Sequence, residues 1–268
     1  MAKIIVFNND TNRMETYTRS ENAAMPYNTN RTLTVKEFRG SSKSNILWTT
    51  KRTMQSWNSQ RYIWGGPIPV GFAFKRPYEG GHGTQSQHYA GVAFDVGQTL
   101  SATRRIALWN SANLSGVWSY VEPISSTPTW VHWDKRFGTP ACSSGGFPLI
   151  KRGSISNYVL IAQDDLNTLG FSTGGLDGIF GAKTQEAVRS YQRKVGLSVD
   201  GIVGCNTWRA LQEAVIGTGA TSTTINWRNK VIFDLISNLP CFYFICFYFL
   251  TQSFFCLNIL KFHYHVQT

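Results

Sequence analysis

The stretch Ser86–Gly97, "SQHYAGVAFDVG", decides how the rest of the chain is interpreted. It places His88 and Asp95 seven residues apart, with Gly91 and Ala93 between them. A turn at Gly91 would bring the two side chains together, because glycine permits a close backbone approach. Imidazole nitrogen and carboxylate oxygen are both zinc ligands, and a catalytic zinc site takes three protein ligands and keeps one position open. The stretch therefore indicates part of a metal site.

A third ligand has to come from another histidine. The 268-residue chain has five, and two of these lie close to the C-terminus: His82, His88, His132, His263 and His265. His132 lies in "TWVHWDKR", whose alternating β-branched and aromatic residues predict a strand. A strand holds side chains rigidly, and Asp134 would share the face of His132. His82 lies in "GGHG", which predicts a flexible loop and an exposed histidine without a ligand role.

The full pattern Ser86, His88, Gly91, Ala93, Asp95 is S-x-H-x-x-G-x-A-x-D. It resembles the signature of the zinc D-alanyl-D-alanine carboxypeptidase family, the metallopeptidases that cleave peptidoglycan, and the similarity extends over about residues 60–137. The resemblance implies a Zn²⁺ ion held by three ligands. These are His88, Asp95 and His132.

The same resemblance implies a carboxylate that takes a proton from the attacking water. Many members of the family carry a glutamate three residues before the last histidine, and this chain has Thr129 there. Two nearby carboxylates remain as candidates, Asp134 and Glu122. Strand geometry slightly favours Asp134, whereas Glu122 would need the loop after it to fold back over the metal.

The family also uses a basic residue upstream of the motif to hold a substrate carboxylate. "AFKRPYEGGHGTQSQH" offers Lys75 and Arg76 for this role, and the guanidinium of Arg76 suits bidentate binding better. Ser86 is expected to form a hydrogen bond close to the metal. The predicted substrate-binding residues are therefore Arg76, Lys75 and Ser86.

A second motif is repeated further along the chain. "LDGIFGAKTQEAV" from Leu176 corresponds to "VDGIVGCNTWRAL" from Val199, at an offset of 23 residues. Each copy has an Asp-Gly turn followed by a threonine at the start of a predicted helix. The doubled motif resembles the three-helix peptidoglycan-binding domain found beside many wall hydrolases. It implies a tether to peptidoglycan.

These patterns predict an α+β protein with four regions. A small antiparallel-sheet zinc peptidase domain is followed by a three-helix peptidoglycan-binding domain. Within the first, a helix is expected over about Ser101–Ala112, with Ser101 as its cap. The predicted regions are an N-terminal flank of unknown role (1–45), the zinc metallopeptidase domain (46–150), the helical domain (151–215), and a linker with an apolar tail (216–268).

The net charge is +11, from 26 Lys and Arg against 15 Asp and Glu, which indicates an anionic partner. Charge alone does not choose among nucleic acid, a membrane surface and an acidic polymer such as a cell wall, but the basic residues are scattered and form no nucleic-acid motif. The two resemblances imply peptidoglycan as the partner; nucleic acid is not expected, and a monomer is predicted. The five cysteines form no CxxC pair and their number is odd, so no disulfide is predicted.

The segment Leu235–Leu260 contains no charged residue and is long enough to cross a bilayer. Its unusual content of Phe, Tyr and Cys leaves two readings open, a membrane attachment or a tail foreign to the working fold. The start "MAKIIVFNND" lacks the apolar core of a secretory signal, so action at the cell wall would need another route of export.

The sequence thus predicts a zinc peptidase, either carboxypeptidase or endopeptidase, that acts on the stem or cross-link peptides of peptidoglycan. The alternative is a non-catalytic wall-binding protein whose peptidase domain has lost its base, since Thr129 occupies the usual position of that base.

Overall fold

The N-terminal residues form a three-stranded sheet. β1 (Ala2–Asn8) and β2 (Arg13–Arg19) pair as an antiparallel hairpin, and β3 (Ile46–Thr50) lies parallel to β1 on its other side. The short helix α1 (Val35–Arg39) lies in the crossover, and Thr34 caps it. This computed structural model describes residues 1–219.

The helix α2 (Lys51–Trp64) follows β3 without a loop. Thr50 ends the strand and caps the helix, because its hydroxyl accepts a hydrogen bond from the backbone N–H of Thr53 at 3.0 Å. Gly65 ends the helix in the left-handed conformation, with φ of 72°. The fully buried Trp57 then packs its ring 4.8 Å from that of Phe94, which joins this helix to the central sheet.

The central sheet has four antiparallel strands in the order β4-β5-β7-β6. They are β4 (Val70–Phe72), β5 (Ala93–Val96), β6 (Tyr120–Val121) and β7 (Val131–Asp134). The helix α3 (Ala102–Ser115) connects β5 to β6, and Ser101 caps it as predicted.

Strand alternation gives this sheet two different faces. Phe94 and Trp133 are opposite one another in β5 and β7 and are fully buried in the core. Asp95 and His132 are the next opposed pair, so their side chains lie on the other face. The same period-two pattern that buries the aromatic rings therefore collects the polar site residues on one side.

A short hairpin links the sheet to the helical region. It consists of β8 (Pro140–Cys142) and β9 (Gly145–Pro148). Cys142 forms a disulfide with Cys205, whose Cα lies 4.9 Å away. The expectation of no disulfide was wrong, because 63 residues separate the two cysteines and no local spacing reveals the pair.

Three helices form the C-terminal part of the described chain: α4 (Asn157–Thr168), α5 (Ala182–Val195) and α6 (Cys205–Val215). The repeated sequence motif is a repeated structure. Gln163 Nε2 donates to Asp177 Oδ1 at 2.7 Å, and Gln192 Nε2 donates to Asp200 Oδ1 at 2.8 Å. In each copy, a buried glutamine of one helix therefore holds the Asp-Gly turn that leads to the next helix.

The mixed α+β class and the helical domain are confirmed, although β1 and β3 make the first sheet partly parallel. The described residues belong to one compact unit, so the predicted regions 1–45, 46–150 and 151–215 pack together. None of the helices within residues 1–219 is long and apolar enough to cross a membrane. The segment Leu235–Leu260 lies outside the described residues.

Candidate metal centre

His88 is the most buried member of the polar cluster, with 1% of its surface exposed. Its Nδ1–H donates to the carbonyl oxygen of Ala73 at 3.1 Å. This bond fixes the tautomer, so the lone pair of Nε2 is directed away from Ala73. Nε2 is covered from solvent and has no hydrogen-bond partner among residues 1–219. An unpaired buried nitrogen of this kind is suited to binding a metal ion.

Gly91 shapes the turn that carries His88. It has a φ of +67°, and its N–H donates to His88 O at 3.0 Å. A Cβ atom at this position would lie 1.9 Å from the carbonyl oxygen of Trp48. The close backbone approach expected from the sequence is therefore present, and its partner is β3.

Asp95 lies between two histidines. Its Oδ1 is 2.7 Å from His132 Nδ1, and its Oδ2 is 3.3 Å from His88 Nε2. Burial alone would raise the pKa of Asp95, but the hydrogen bond from His132, together with the nearby His88 ring, outweighs burial and lowers it. The carboxylate is therefore ionised throughout the neutral range.

His132 lies between two carboxylates. Burial lowers the pKa of His132, but its contacts with Asp134 and Asp95 outweigh burial and raise the pKa to about 9. The negative field that stabilises a proton on this imidazole would also stabilise a divalent cation in its place.

His82 belongs to the cluster, which sequence reasoning missed. Its ring stacks on His88 with a centroid distance of 4.3 Å, and it is only partly exposed. Tyr89 fixes its position, because the Tyr89 hydroxyl accepts from His82 N–H at 3.2 Å and donates to His82 O at 2.8 Å. Burial, and then the charge of His88, lower the pKa of His82 to about 4. The expectation of an exposed loop histidine was therefore wrong.

The donor atoms fit a zinc ion. One ligand atom from each of His82, His88 and Asp95 lies within 4.8 Å of the other two. Ligands at about 2.0–2.2 Å from a tetrahedral zinc ion are on the order of 3.5 Å apart, so a small inward movement completes the site. His132 is a fourth donor beside Asp95, with its ring centroid 5.1 Å from that of His88. The predicted ligands His88, Asp95 and His132 are thus brought together, with His82 in addition.

Asp134 is fully buried and bound by another side chain. Arg136 donates to it through Nε, Nη2 and the backbone N–H. Burial raises the pKa of Asp134, but the side-chain hydrogen bonds with Arg136 and His132 outweigh burial and lower it. Its Oδ2 lies 3.6 Å from His132 Nε2. Asp134 therefore orients the His132 ring from its Nε2 side, opposite Asp95, and has little freedom to exchange protons with a substrate. This geometry does not suit the role of general base favoured from the sequence.

Glu122 lies closer to the cluster than its sequence position indicated. Tyr120 and Val121 pair with Asp134 and Trp133, and Glu122 N–H continues this register by donating to His132 O at 2.9 Å. Directly opposed residues in antiparallel strands extend their side chains on the same face. Glu122 therefore lies beside His132 on the face of Asp95, without any folding back of the loop that follows it.

The three predicted substrate-binding residues differ in their surroundings. Arg76 donates to both oxygens of Asp164 in α4, with Nε to Oδ2 at 2.8 Å, so its guanidinium is already paired. Ser86 accepts a long hydrogen bond from His88 N–H at 3.4 Å, within the turn. The ammonium of Lys75 forms no ion pair with any carboxylate of residues 1–219.

Lys75 is also the basic residue close to the metal cluster. Its Nζ lies 5.8 Å from the ring centroid of Phe72, and that ring is 4.3 Å from the ring of His82. Lys75 borders a cavity of about 370 Å³ together with Lys43, which also lacks an ion pair in the described part. An anionic group of a substrate could occupy this cavity.

Comparison with known proteins identifies the helical part. Residues 156–211 match the family model described as a putative peptidoglycan binding domain. The matched residues begin at the cap of α4 and end in α6, so they coincide with the three-helix unit. The chain therefore contains a peptidoglycan-binding domain, as the doubled motif predicted.

Several similar curated proteins are named spore cortex-lytic enzymes or N-acetylmuramoyl-L-alanine amidases. The chain is 38% identical over 82 residues to a spore cortex-lytic enzyme of Bacillus cereus, covering 31% of this chain and 32% of that protein. It is 51% identical over 53 residues to the N-acetylmuramoyl-L-alanine amidase CwlM of Mycobacterium tuberculosis, covering 20% of this chain and 13% of that protein. The chain thus spans a third or less of either relative.

A solved structure also matches in sequence. The SleB N-terminal domain is 42% identical, and the match covers 25% of this chain and 92% of that one, with a TM-score of 0.25. The helical domain is what the comparisons identify.

Proposed function

We propose that this protein is a zinc-dependent hydrolase that cleaves an amide bond in the peptide part of peptidoglycan. One observation carries the proposal: His88, Asp95 and His132, separated in sequence, converge around the buried Nε2 of His88, which lies 3.3 Å from Asp95 Oδ2 and has no hydrogen-bond partner within residues 1–219. The peptidoglycan-binding domain in the same compact unit supports peptidoglycan as the substrate.

The residues around the cluster have distinct tasks. His88, Asp95 and His132 would hold Zn²⁺, with His82 adjacent. When bound, the ion supplies Lewis acidity that polarises a carbonyl group and makes water more acidic. Glu122 would accept the proton from water and pass it to the leaving amine.

Two further groups support this chemistry. Asp134 keeps the His132 ring oriented through Nε2. Lys75, whose Nζ lies 5.8 Å from the centroid of the Phe72 ring beside His82, would pair with a carboxylate of the stem peptide.

A second candidate is cleavage of the amide bond that links the glycan to its peptide. It is favoured by relatives that are named N-acetylmuramoyl-L-alanine amidases. Both reactions are hydrolyses of an amide, so the same metal and base would serve either of them. The S-x-H-x-x-G-x-A-x-D pattern supports the peptidase, and the difference depends on which bond the cleft presents to the metal.

The place of action follows from the same proposal. A substrate in the wall requires the protein to work outside the membrane, and a disulfide between Cys142 and Cys205 suits an oxidising compartment. Neither a role for Leu235–Leu260 in attachment nor the monomeric state is needed for the reaction, and both stay predictions.

The test uses the full chain on purified sacculi and on defined muropeptides. Zinc-loaded protein should release soluble fragments, and a chelator should stop the release until zinc is restored. Mass analysis then distinguishes the candidates: cut peptides indicate the peptidase, whereas complete stem peptides freed from the glycan indicate the amidase. Binding to sacculi without release of any fragment would instead favour a non-catalytic wall-binding protein.

A further inference from the structure

The turn that carries His88 is held by side chains from outside the central sheet. The carbonyl oxygen of Tyr89 accepts from Trp48 Nε1 at 2.8 Å, and that of Gly91 accepts from Thr49 Oγ1 at 2.7 Å. The carbonyl between them, that of Ala90, accepts from Asn157 Nδ2. Three successive carbonyl groups are therefore each bound by a different side chain, two from β3 and one from α4.

A second contact joins the helical domain to the same turn. The hydroxyl of Tyr158, a fully buried residue, donates to Gln87 Oε1 at 3.0 Å. Gln87 and Ala90 lie on either side of His88 and Tyr89 in sequence. The first two residues of α4 thus contact the metal-binding turn on both sides of its ligand.

The burial of α4 shows that these contacts are part of an extensive interface. All of its residues except Asn167 are buried. A helix that is buried all round packs against partners on every side. On the side facing α5 and α6 it belongs to the helical domain, and on the other side Asp164 pairs with Arg76. A mobile tether would leave that second side exposed.

We propose that the peptidoglycan-binding domain positions the metal ligand His88, through Asn157 and Tyr158, in addition to binding the wall. Asn157 and Tyr158 are positioning residues, since they act through the turn and not on the substrate. The inference rests on the proposed function for its catalytic meaning. Its structural part concerns the turn alone.

The variants for the test are matched in chemistry. Asn157→Ala removes the donor to Ala90 O, and Tyr158→Phe removes only the hydroxyl that reaches Gln87. Gln192→Ala is the control, because it also removes a buried amide of the same domain but has no contact with the metal-binding turn. All three are made in the full chain.

Two measurements are made on each variant: zinc affinity by chelator competition, and hydrogen exchange of the amides of residues 88–92. Asn157→Ala should weaken zinc binding by about 10–100-fold, as expected for loss of an outer partner of a ligand, and should speed exchange in the turn. Tyr158→Phe should do the same more weakly. Binding to sacculi should stay within twofold of wild type for both.

The outcomes separate the two proposals. The positioning role would be overturned if the zinc affinity and the exchange rates of Asn157→Ala stayed within twofold of wild type. It would also be overturned if Gln192→Ala lost as much zinc affinity as Asn157→Ala. A wild-type protein that binds no zinc would refute the proposed hydrolase, while the exchange measurement would still decide whether α4 holds the turn.

Discussion

Glu122 and His132 are cross-strand neighbours: Glu122 N–H donates to His132 O at 2.9 Å, so the two side chains extend on one face of the sheet. Asp95 is the neighbour of His132 on its other side. Strand pairing therefore puts Glu122, whose side chain forms no ion pair within residues 1–219, on the same face as the candidate ligands His132 and Asp95. The other candidate base, Asp134, is bound by Arg136.

Glu122→Gln should lower kcat on a muropeptide by about 10²–10⁴-fold, because the amide cannot take a proton from water. Zinc content should be unchanged, since Glu122 is not among the ligands. Activity assays combined with metal analysis check both statements. Asp134→Asn is the comparison: it should weaken zinc binding through His132. If Asp134→Asn lost activity at full zinc occupancy while Glu122→Gln stayed active, the roles would be reversed.

The ligand set can be determined by single substitutions. His88→Ala and Asp95→Ala should abolish stoichiometric zinc binding, because both residues lie in the compact donor group. His132→Ala should do the same, because His132 Nδ1 lies 2.7 Å from Asp95 Oδ1 and is the proposed third donor. His82→Ala should retain zinc with at most a tenfold loss of affinity, since a catalytic site needs three protein ligands and an open position. Metal analysis after dialysis gives the stoichiometry. If His82→Ala lost zinc while His132→Ala kept it, His82 would be the third ligand and His132 would not be.

Gly91→Ala should disrupt the metal-binding turn. Its Cβ would lie 1.9 Å from Trp48 O, and its φ of +67° is unfavourable for alanine. The backbone conformation alone costs on the order of 1–3 kcal/mol, and relief of the clash would move β3 away from the turn. The Tm and the zinc affinity of this variant should both be lower than those of wild type. Gly83→Ala is the control, since no atom lies within 4 Å of its Cβ position. Equal stability of the two variants would contradict the close packing of β3 on the turn.

Asp165 should make stability fall with rising pH. It is fully buried, Gln212 Nε2 donates to its Oδ2 at 2.5 Å, and its Oδ1 has no hydrogen-bond partner within residues 1–219. Burial, and then the charge of Asp164, raise the pKa of Asp165 well above its ordinary value. The folded state therefore keeps this proton to a higher pH than the unfolded state. The free energy of unfolding falls as pH rises from about 4 through the raised pKa.

Asp165→Asn copies the protonated form and should remove this dependence. Near pH 7 the variant should be more stable than wild type by on the order of 1–3 kcal/mol, the cost of an unsatisfied buried group. Below about pH 4 the two proteins should converge. Urea unfolding at several pH values measures the difference. Destabilisation at pH 7 would contradict the cost assigned to the buried charge of Asp165.

Reduction of the disulfide should destabilise the protein substantially. Cys142 and Cys205 are 63 residues apart in sequence, and closing a loop of that length is worth about 4 kcal/mol in the chain-entropy model. Cys142→Ser with Cys205→Ser should therefore lower Tm to the same value that reducing agent gives for wild type. A wild-type Tm that is insensitive to reductant would argue against the pairing.

Local patterns predicted much of this structure. The alternation in "TWVHWDKR" located β7 and placed Asp134 on the face of His132. Ser101 marked the start of α3, and the doubled Asp-Gly motif located the turns before α5 and α6. Each of these signals lies within a few residues of the feature it specifies.

Helical faces were predicted less well. The sequence spacing places Ile106, Trp109 and Ala112 on one apolar face of α3, but Ile106 is 49% exposed and Leu108 is buried. Val195, at the end of α5, is 38% exposed. The periodicity of a short helix defines several overlapping apolar faces, and the partner it packs against selects one of them.

The missed features all depend on contacts between distant residues. Glu122 reaches His132 through strand pairing, His82 reaches His88 through a loop fixed by Tyr89, and Arg76 meets Asp164 across 88 residues of sequence. No spacing rule specifies these pairs. They follow only when the sheets and α4 have packed together.

The burial of every α4 residue except Asn167 has a consequence for how such an enzyme would work on a wall. Because the peptidoglycan-binding domain and the candidate site would not move relative to one another, each binding event would bring only a small area of substrate within reach of the site. An enzyme with a flexible connection between its two domains could cleave several bonds around one binding position. This protein would instead have to dissociate and rebind before each new cleavage, so its rate on intact wall would be limited by its rate of dissociation from the surface.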